Sequence, residues 1–165
     1  MADDEKKILD VTCGSRSIWF NKHHPAAVYC DKRELHETGV FGRQRSTQTL
    51  DITPDIICDF TDLPFEEETF SLVVFDPPHL TKVKETAWLV KKYGVLTDEW
   101  PKMLHDGFTE CMRVLKWGGV LVFKWSENDI PAEEVWKAIG QKPLFGHHSG
   151  KKSTTFWGCF MKGEE

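Results

Sequence analysis

Four short runs in this chain are apolar without alternation: KILDVTC (7–13), AAVYCD (26–31), PDIICDF (54–60) and FSLVVFD (70–76), with VLVFKW (120–125) as a fifth. Strands that are hydrophobic on both faces cannot lie on a surface. They belong inside a parallel sheet covered from two sides. Helical patterns fall between them. SRSIWFNKH (15–23), with a Ser near its start, reads as a helix. From 97 to 117, Trp100, Met103, Leu104, Phe108, Cys111, Met112 and Leu115 recur at spacings of three and four, an amphipathic helix ended by Gly118 and Gly119. PAEEVWKAIG (131–140) is another, with Pro early and Gly late. The stretch 32–53 is polar and holds one short helix at most, and the segments 142–147 and TTFWGCFMK (154–162) read as a closing hairpin. Strands alternating with helices give a doubly wound α/β sheet with an antiparallel edge.

Composition narrows the class. The 165 residues are read as a single domain over 1–165, with the 40% hydrophobic and 28% charged content of an ordinary soluble protein. No stretch reaches the roughly 18 apolar residues of a membrane span, and MADDEKK carries no apolar signal segment. Five cysteines, an odd number without a CxxC pair, read as reduced thiols of a cytoplasmic protein, without a disulfide or zinc framework. His23-His24 and His147-His148 lack a third ligand at a metal-binding spacing, so no metal is expected. A formal net charge of −5 weighs against a broad grip on duplex DNA. The basic pairs Arg43/Arg45, Lys82/Lys84, Lys91/Lys92 and Lys151/Lys152 are first of all solvated surface.

Three acids fall where apolar strands stop: Asp31, Asp59 and Asp76. In open α/β sheets ligands bind beyond the carboxyl ends of the strands. One acid there caps a helix; three would surround a crevice and accept hydrogen bonds from hydroxyls, an amine or a cation. A fourth, Asp10, lies inside the first strand, just before Thr12, Cys13 and Gly14. Gly14 stands alone, without the further glycines of a dinucleotide fingerprint or the GK[ST] ending of a phosphate loop. A ligand with a carboxylate, a ribose and an adenine fits better than a cradled phosphate.

In these motifs the chain resembles the class I S-adenosylmethionine-dependent methyltransferases. ILDVTCGS (8–15) is similar to their first motif, AVYCD to the second and IICDF to the third, and FDPPH is similar to the acceptor motif of amino-group methyltransferases. The motifs stand in family order over nearly the whole chain. More narrowly, it is similar to small stand-alone methyltransferases encoded by phages and prophages. The resemblance implies a Rossmann-like, mostly parallel seven-stranded sheet with a C-terminal antiparallel hairpin, and S-adenosylmethionine as cofactor. It places Asp10, Thr12, Cys13 and Gly14 under the methionine part, Asp31 at the ribose, and Asp59 with Phe60 at the adenine. Asp76, Pro77, Pro78 and His79 take the acceptor, with Asp76 also at the cofactor's edge. Thr12 departs from the glycine usual in the first motif, and His79 from the usual Tyr, Phe or Trp.

The motif's chemistry is legible in its residue types. An exocyclic base amine is a poor nucleophile because its lone pair is delocalised into the ring. Acceptors for its N–H groups turn that pair toward a methyl donor, and Asp76 with the rigid Pro77 carbonyl can supply them. His79 would stack on the ring. Residues 79–96 mix Lys82, Lys84, Lys91 and Lys92 with Trp88 and Tyr93, and HHSGKKSTTFW (147–157) is similar, a pattern compatible with single-stranded nucleic acid or with a packed amphipathic helix. The expected activity is amino-nitrogen methylation, on a nucleobase of DNA or RNA before a protein Gln or Lys, with a silent methyltransferase-fold partner protein as the reading from another class. About forty residues beyond the sheet leave little room for target recognition, which points to a homodimer, a partner subunit, or a structured or small substrate.

Overall fold

The computed structural model describes residues 6–41, 46–81, 88–150 and 154–163. Arg43, Arg45, Lys82, Lys84, Lys151 and Lys152 lie outside them, so the expectation for those basic pairs is left where it stood. In chain order the elements are β1 (Ile8–Asp10), β2 (Ala27–Asp31), β3 (Leu35–Phe41), β4 (Ser46–Ile52), β5 (Ile56–Ile57), β6 (Phe70–Phe75), α1 (Trp88–Tyr93), α2 (Trp100–Val114), β7 (Leu115–Ser126), α3 (Ala132–Ile139), β8 (Phe145–His148) and β9 (Thr155–Met161).

Seven strands form one sheet in the order β5-β2-β1-β6-β7-β9-β8. The first five are parallel to their neighbours, and β9 runs antiparallel to both β7 and β8. This is the expected Rossmann-like α/β sheet with its C-terminal hairpin. The order reverses at β1, so the carboxyl ends of β1, β2 and β6 open into one crevice. Register sets what lies there: Asp10 stands between Tyr29 and Val74 on its flanking strands.

Of the predicted stripe α2 buries Leu104, Phe108 and Cys111, together with Val114; the helix ends at Val114 rather than at Gly118, and Leu115 opens β7. The helix shares one core with Val135, Trp136 and Ile139 of α3 and with Val73, Phe75, Leu121, Phe123 and Phe160 from the sheet. Phe123 is the hub, with its ring centroid 5.1 Å from Phe75 and 5.4 Å from Trp136, both edge-on. Gly140, at φ 78°, closes α3 in the left-handed conformation that favours glycine.

Three further local expectations are corrected. Residues 15–23 form successive turns, not a helix. Arg16 takes φ 54°, a left-handed backbone that halts a right-handed helix. Its buried guanidinium holds it there, donating to the carbonyls of Lys22 and Thr53 at 2.7 Å each and lying 3.8 Å over the Tyr29 ring. Trp19 packs edge-on against Tyr29 and, with Cys13, Ala27 and Ile8, makes a small cluster separate from the main core.

The described residues of 32–53 hold no helix; they carry the β3–β4 hairpin, paired from Leu35↔Ile52 to Phe41↔Ser46. Thr38, Thr47 and Thr49 are β-branched and suit a pleat, and Thr38 and Thr49 join hydroxyls at 3.0 Å across it. The hairpin fills the place of a crossover helix between β2 and β5. The third apolar run supplies only Ile56–Ile57 as strand. Pro54 has no N–H to give, and Asp55 uses its side chain to accept from Tyr29 N at 3.1 Å.

Candidate active site

A cavity of about 340 Å³ opens at this sheet edge. The β1 turn contributes Thr12, Cys13 and Gly14; the ends of β2 and β5 contribute Asp31, Asp59 and Phe60; the end of β6 contributes Asp76, Pro77, Pro78 and His79. Tyr93 and Gly94, leaving α1, form the far wall. Every residue expected at the cofactor or acceptor is therefore brought to one cavity, with one exception.

The exception is Asp10, which does not line it. Asp10 is 1% exposed and braces the turn from beneath, accepting from Thr12 N at 3.2 Å and from Trp19 Nε1 at 2.7 Å. Burial pushes its carboxyl up from 3.8 to about 7, against those two bonds. The folded chain thus holds an extra proton between these values, and stability falls as pH rises through that window. Asp10→Asn is expected to flatten this slope, read as a smaller difference in urea midpoint between pH 5 and pH 8. An unchanged difference would assign the pH dependence elsewhere.

Each strand-end acid meets a cation. Asp31 accepts from Gly14 N at 3.0 Å and from Arg33 three times: backbone N at 3.0 Å, Nε at 2.9 Å and Nη2 at 3.0 Å. Four donors fill a carboxylate's acceptor positions. Arg33 also donates from Nη1 to the Lys91 carbonyl at 2.9 Å, tying β2 to α1. Asp59 accepts from Lys32 Nζ at 2.8 Å and from Thr61 N and Oγ1 at 3.0 and 2.8 Å. The lysine and threonine bonds hold its carboxyl below its ordinary value, although burial, the largest influence, opposes them. Asp76 accepts from Lys124 Nζ at 2.5 Å, yet burial still leaves its carboxyl above its ordinary value.

The motif residues are fixed from several elements. Thr12 Oγ1 accepts from Asp76 N at 2.9 Å, so the residue that departs from the family's glycine links the first turn to the acceptor motif. Thr81 donates twice to Asp129 Oδ2, from N at 2.8 Å and Oγ1 at 3.0 Å, closing the loop behind His79. The His79 ring lies 5.6 Å from Tyr93 and 6.3 Å from Trp125. Burial lowers its pKa, which leaves the imidazole neutral at pH 7 and suited to stacking. Trp125 supports it from the core, fully buried, with Nε1 donating to Ile130 O. No donor among the described residues is bonded to the Pro77 carbonyl.

Gly107 of α2 sets the position of Phe60. A methyl added there would lie 2.5 Å from the Phe60 ring and 3.1 Å from Phe75. Alanine favours an exposed helix by up to about 1 kcal/mol, but overpacking costs about 1–3 kcal/mol. Gly107→Ala is therefore expected to lower the melting temperature and push Phe60 into the cavity, weakening S-adenosylmethionine binding several-fold by calorimetry. Raised stability with native affinity would contradict this packing.

Lys32, Arg33, Thr61 and Lys124 do not stand out in the sequence as site residues. A signal for three of them exists: Lys32 and Arg33 follow Asp31 directly, and Lys124 interrupts VLVFKW at the register of Asp76. Among the described residues no three His, Cys, Asp or Glu side chains converge as a metal site. His148 instead bonds Glu127, and His24 accepts from Ala26 N. Among the described residues no helix is long and apolar enough to cross a membrane.

The chain has the fold of the S-adenosylmethionine-dependent methyltransferases. It is similar to the PH0226 protein from Pyrococcus horikoshii OT3 (15% identity, 94% of this chain and 81% of that one, TM-score 0.57). It is similar also to a SAM-dependent methyltransferase from Methanosarcina mazei (12% identity, 99% and 95% covered, TM-score 0.55). A third likeness is to an rRNA methylase from Streptococcus thermophilus (13% identity, 98% and 90% covered, TM-score 0.53). No protein-family model matches the chain, and no curated protein matches it in sequence.

Proposed function

We propose that this protein is an S-adenosylmethionine-dependent methyltransferase acting on an amino nitrogen, with the exocyclic amine of a nucleobase as its target. The observation that carries the reading is the shared cavity: Asp76, Pro77, Pro78 and His79 line the same space as Gly14, Asp31, Asp59 and Phe60. Its volume, about 340 Å³, falls within the range of small-molecule sites.

The residues fit the cofactor's chemistry. Asp31 is an acceptor for ribose hydroxyls once Arg33 yields, Asp59 has acceptor capacity left for an adenine amine, and Phe60 offers an apolar surface beside it. S-adenosylmethionine, when bound, supplies an electrophilic methyl group. The chain's part is to bind, orient and accept. Asp76 and the Pro77 carbonyl accept from the two N–H groups of the target amine, exposing its lone pair, and neutral His79 stacks on the ring that bears it. The amine's bond to the methyl carbon would form as the sulfur–methyl bond breaks, leaving a neutral thioether, and the proton the amine then loses would pass to the Asp76 carboxylate. Thr12 keeps Asp76 in register with the turn.

The test is transfer of labelled methyl from S-adenosylmethionine to single-stranded DNA and RNA oligonucleotides, with nucleoside analysis of the product. RNA comes first, since one structural neighbour is an rRNA methylase. N-methylated adenine, cytosine or guanine supports the proposal. Label found only in protein amides or amines moves the substrate class, and cofactor binding without transfer to any acceptor overturns the proposed activity.

A further inference from the structure

Lys124 follows Phe123, which pairs with Phe75 in the parallel β6–β7 ladder, so the register sets it beside Asp76. Its Nζ lies 2.5 Å from Asp76 Oδ2, with the two side chains only 20% and 23% exposed. The stem has little freedom. Lys124 sits on a central strand opposite Trp157 of β9, and Nζ is 5.8 Å from that ring's centroid. Surface pairs are different in kind: the lysines of Lys102–Asp106 and Lys142–Glu133 are 73% and 72% exposed and are worth little.

We infer that Lys124 is a positioning residue of the transfer site: by taking Oδ2 of Asp76 it fixes the carboxylate and leaves Oδ1 as the acceptor for an amine in the cavity. The inference rests on the proposed role of Asp76. Among the described residues no other side-chain donor is bonded to the Asp76 carboxylate, while Thr12 Oγ1 anchors the backbone N of the same residue. The acid is thus held at its main chain by β1 and at its side chain by β7.

Charge gives the pair a second consequence. The titratable groups that face Asp76 are Lys124 from β7, His79 from its own loop and Asp10 from β1. Burial favours the neutral acid, Lys124 is the first influence opposing it, and His79 is a smaller one. A protonated Asp76 would present a donor to the amine's N–H and could not orient its lone pair. Lys124 therefore keeps the group an acceptor in a setting that would otherwise neutralise it.

The decisive measurement is carbon NMR of protein labelled at the aspartate carboxyls, with the Asp76 resonance assigned by its loss in Asp76→Asn. In Lys124→Met, which keeps the stem and removes the charge, Asp76 is expected to titrate about 1–3 pH units above its native midpoint. Lys124→Arg, which keeps the charge, should hold the midpoint near the native value, and Lys124→Gln carries the test if the methionine variant does not fold. A midpoint unmoved in the uncharged variant overturns the inference. With an oligonucleotide acceptor, the acid limb of kcat should move upward with that midpoint while KM for the oligonucleotide stays near native. If the native chain methylates no amine, the functional reading falls on that result alone, and the NMR midpoint still decides whether Lys124 governs Asp76.

Discussion

Asp76→Asn is expected to lower methyl transfer about 10²- to 10³-fold while S-adenosylmethionine affinity stays within about threefold of native. The separation follows from where the side chain points. Asp76 reaches the cavity from the end of β6, whereas Gly14, Asp31 and Asp59 come from the other side of the crevice. Asparagine keeps the size of the side chain and can still accept from Lys124 through its carbonyl. It then turns an NH₂ toward the target amine, so the acceptor is replaced by a donor at the atom where the reaction happens. Single-turnover transfer and calorimetry on the same preparation check the two halves. Equal losses in transfer and in cofactor affinity would move Asp76 out of the acceptor role and into the cofactor's.

Asp31→Ala is expected to weaken S-adenosylmethionine binding by about 10- to 100-fold, the scale of hydrogen bonds to a charged group. Two contributions are lost at once: the acceptor for the ribose, and the 3.0 Å bond that holds Gly14 N and so shapes the turn. Arg33→Ala should act in the opposite direction. Its guanidinium donates to both Asp31 oxygens and must give them up before hydroxyls can bond there. Affinity is reduced by the fraction of chains in which the acid is covered, and removing the guanidinium removes that reduction. Calorimetry on both variants tests the pair. Weaker binding in Arg33→Ala would make that side chain part of the cofactor's own contacts.

The sheet was legible because its signal is local and its consequence global. Continuous apolar runs such as LVVF suit strands buried on both faces of a parallel sheet, and their order along the chain, with one acid at each end, placed Asp31, Asp59 and Asp76 at one edge. The helix α2 declared itself through Leu104, Phe108 and Cys111. Two kinds of feature were not legible. Residues 15–23 have a helical pattern that loses to one tertiary arrangement, the Arg16 guanidinium held between Lys22, Thr53 and Tyr29. The hairpin over 32–53 rests on threonines whose preference for a pleat is weak until a partner strand is present. The pairings of Asp31, Asp59 and Asp76 with Arg33, Lys32 and Lys124 depend on rotamers and on the register of strands remote in sequence. Asp10 is a different lesson: its place in the first motif points to the cofactor, while the fold turns it inward to hold Trp19 and Thr12.

Arg16 has a consequence for how this molecule opens. A helix frays turn by turn from its ends, losing hydrogen bonds one at a time. The loop after Gly14 has no such ladder; its backbone is gathered around one guanidinium whose partners lie 6, 37 and 39 residues away. Release of that group frees the Lys22 and Thr53 carbonyls together, while Asp55 stays bonded to Tyr29, so the loop loses several of its ties at one step. Ser15 and Ser17, on either side of Arg16, line the cavity, so the arginine anchors part of its rim without lining it.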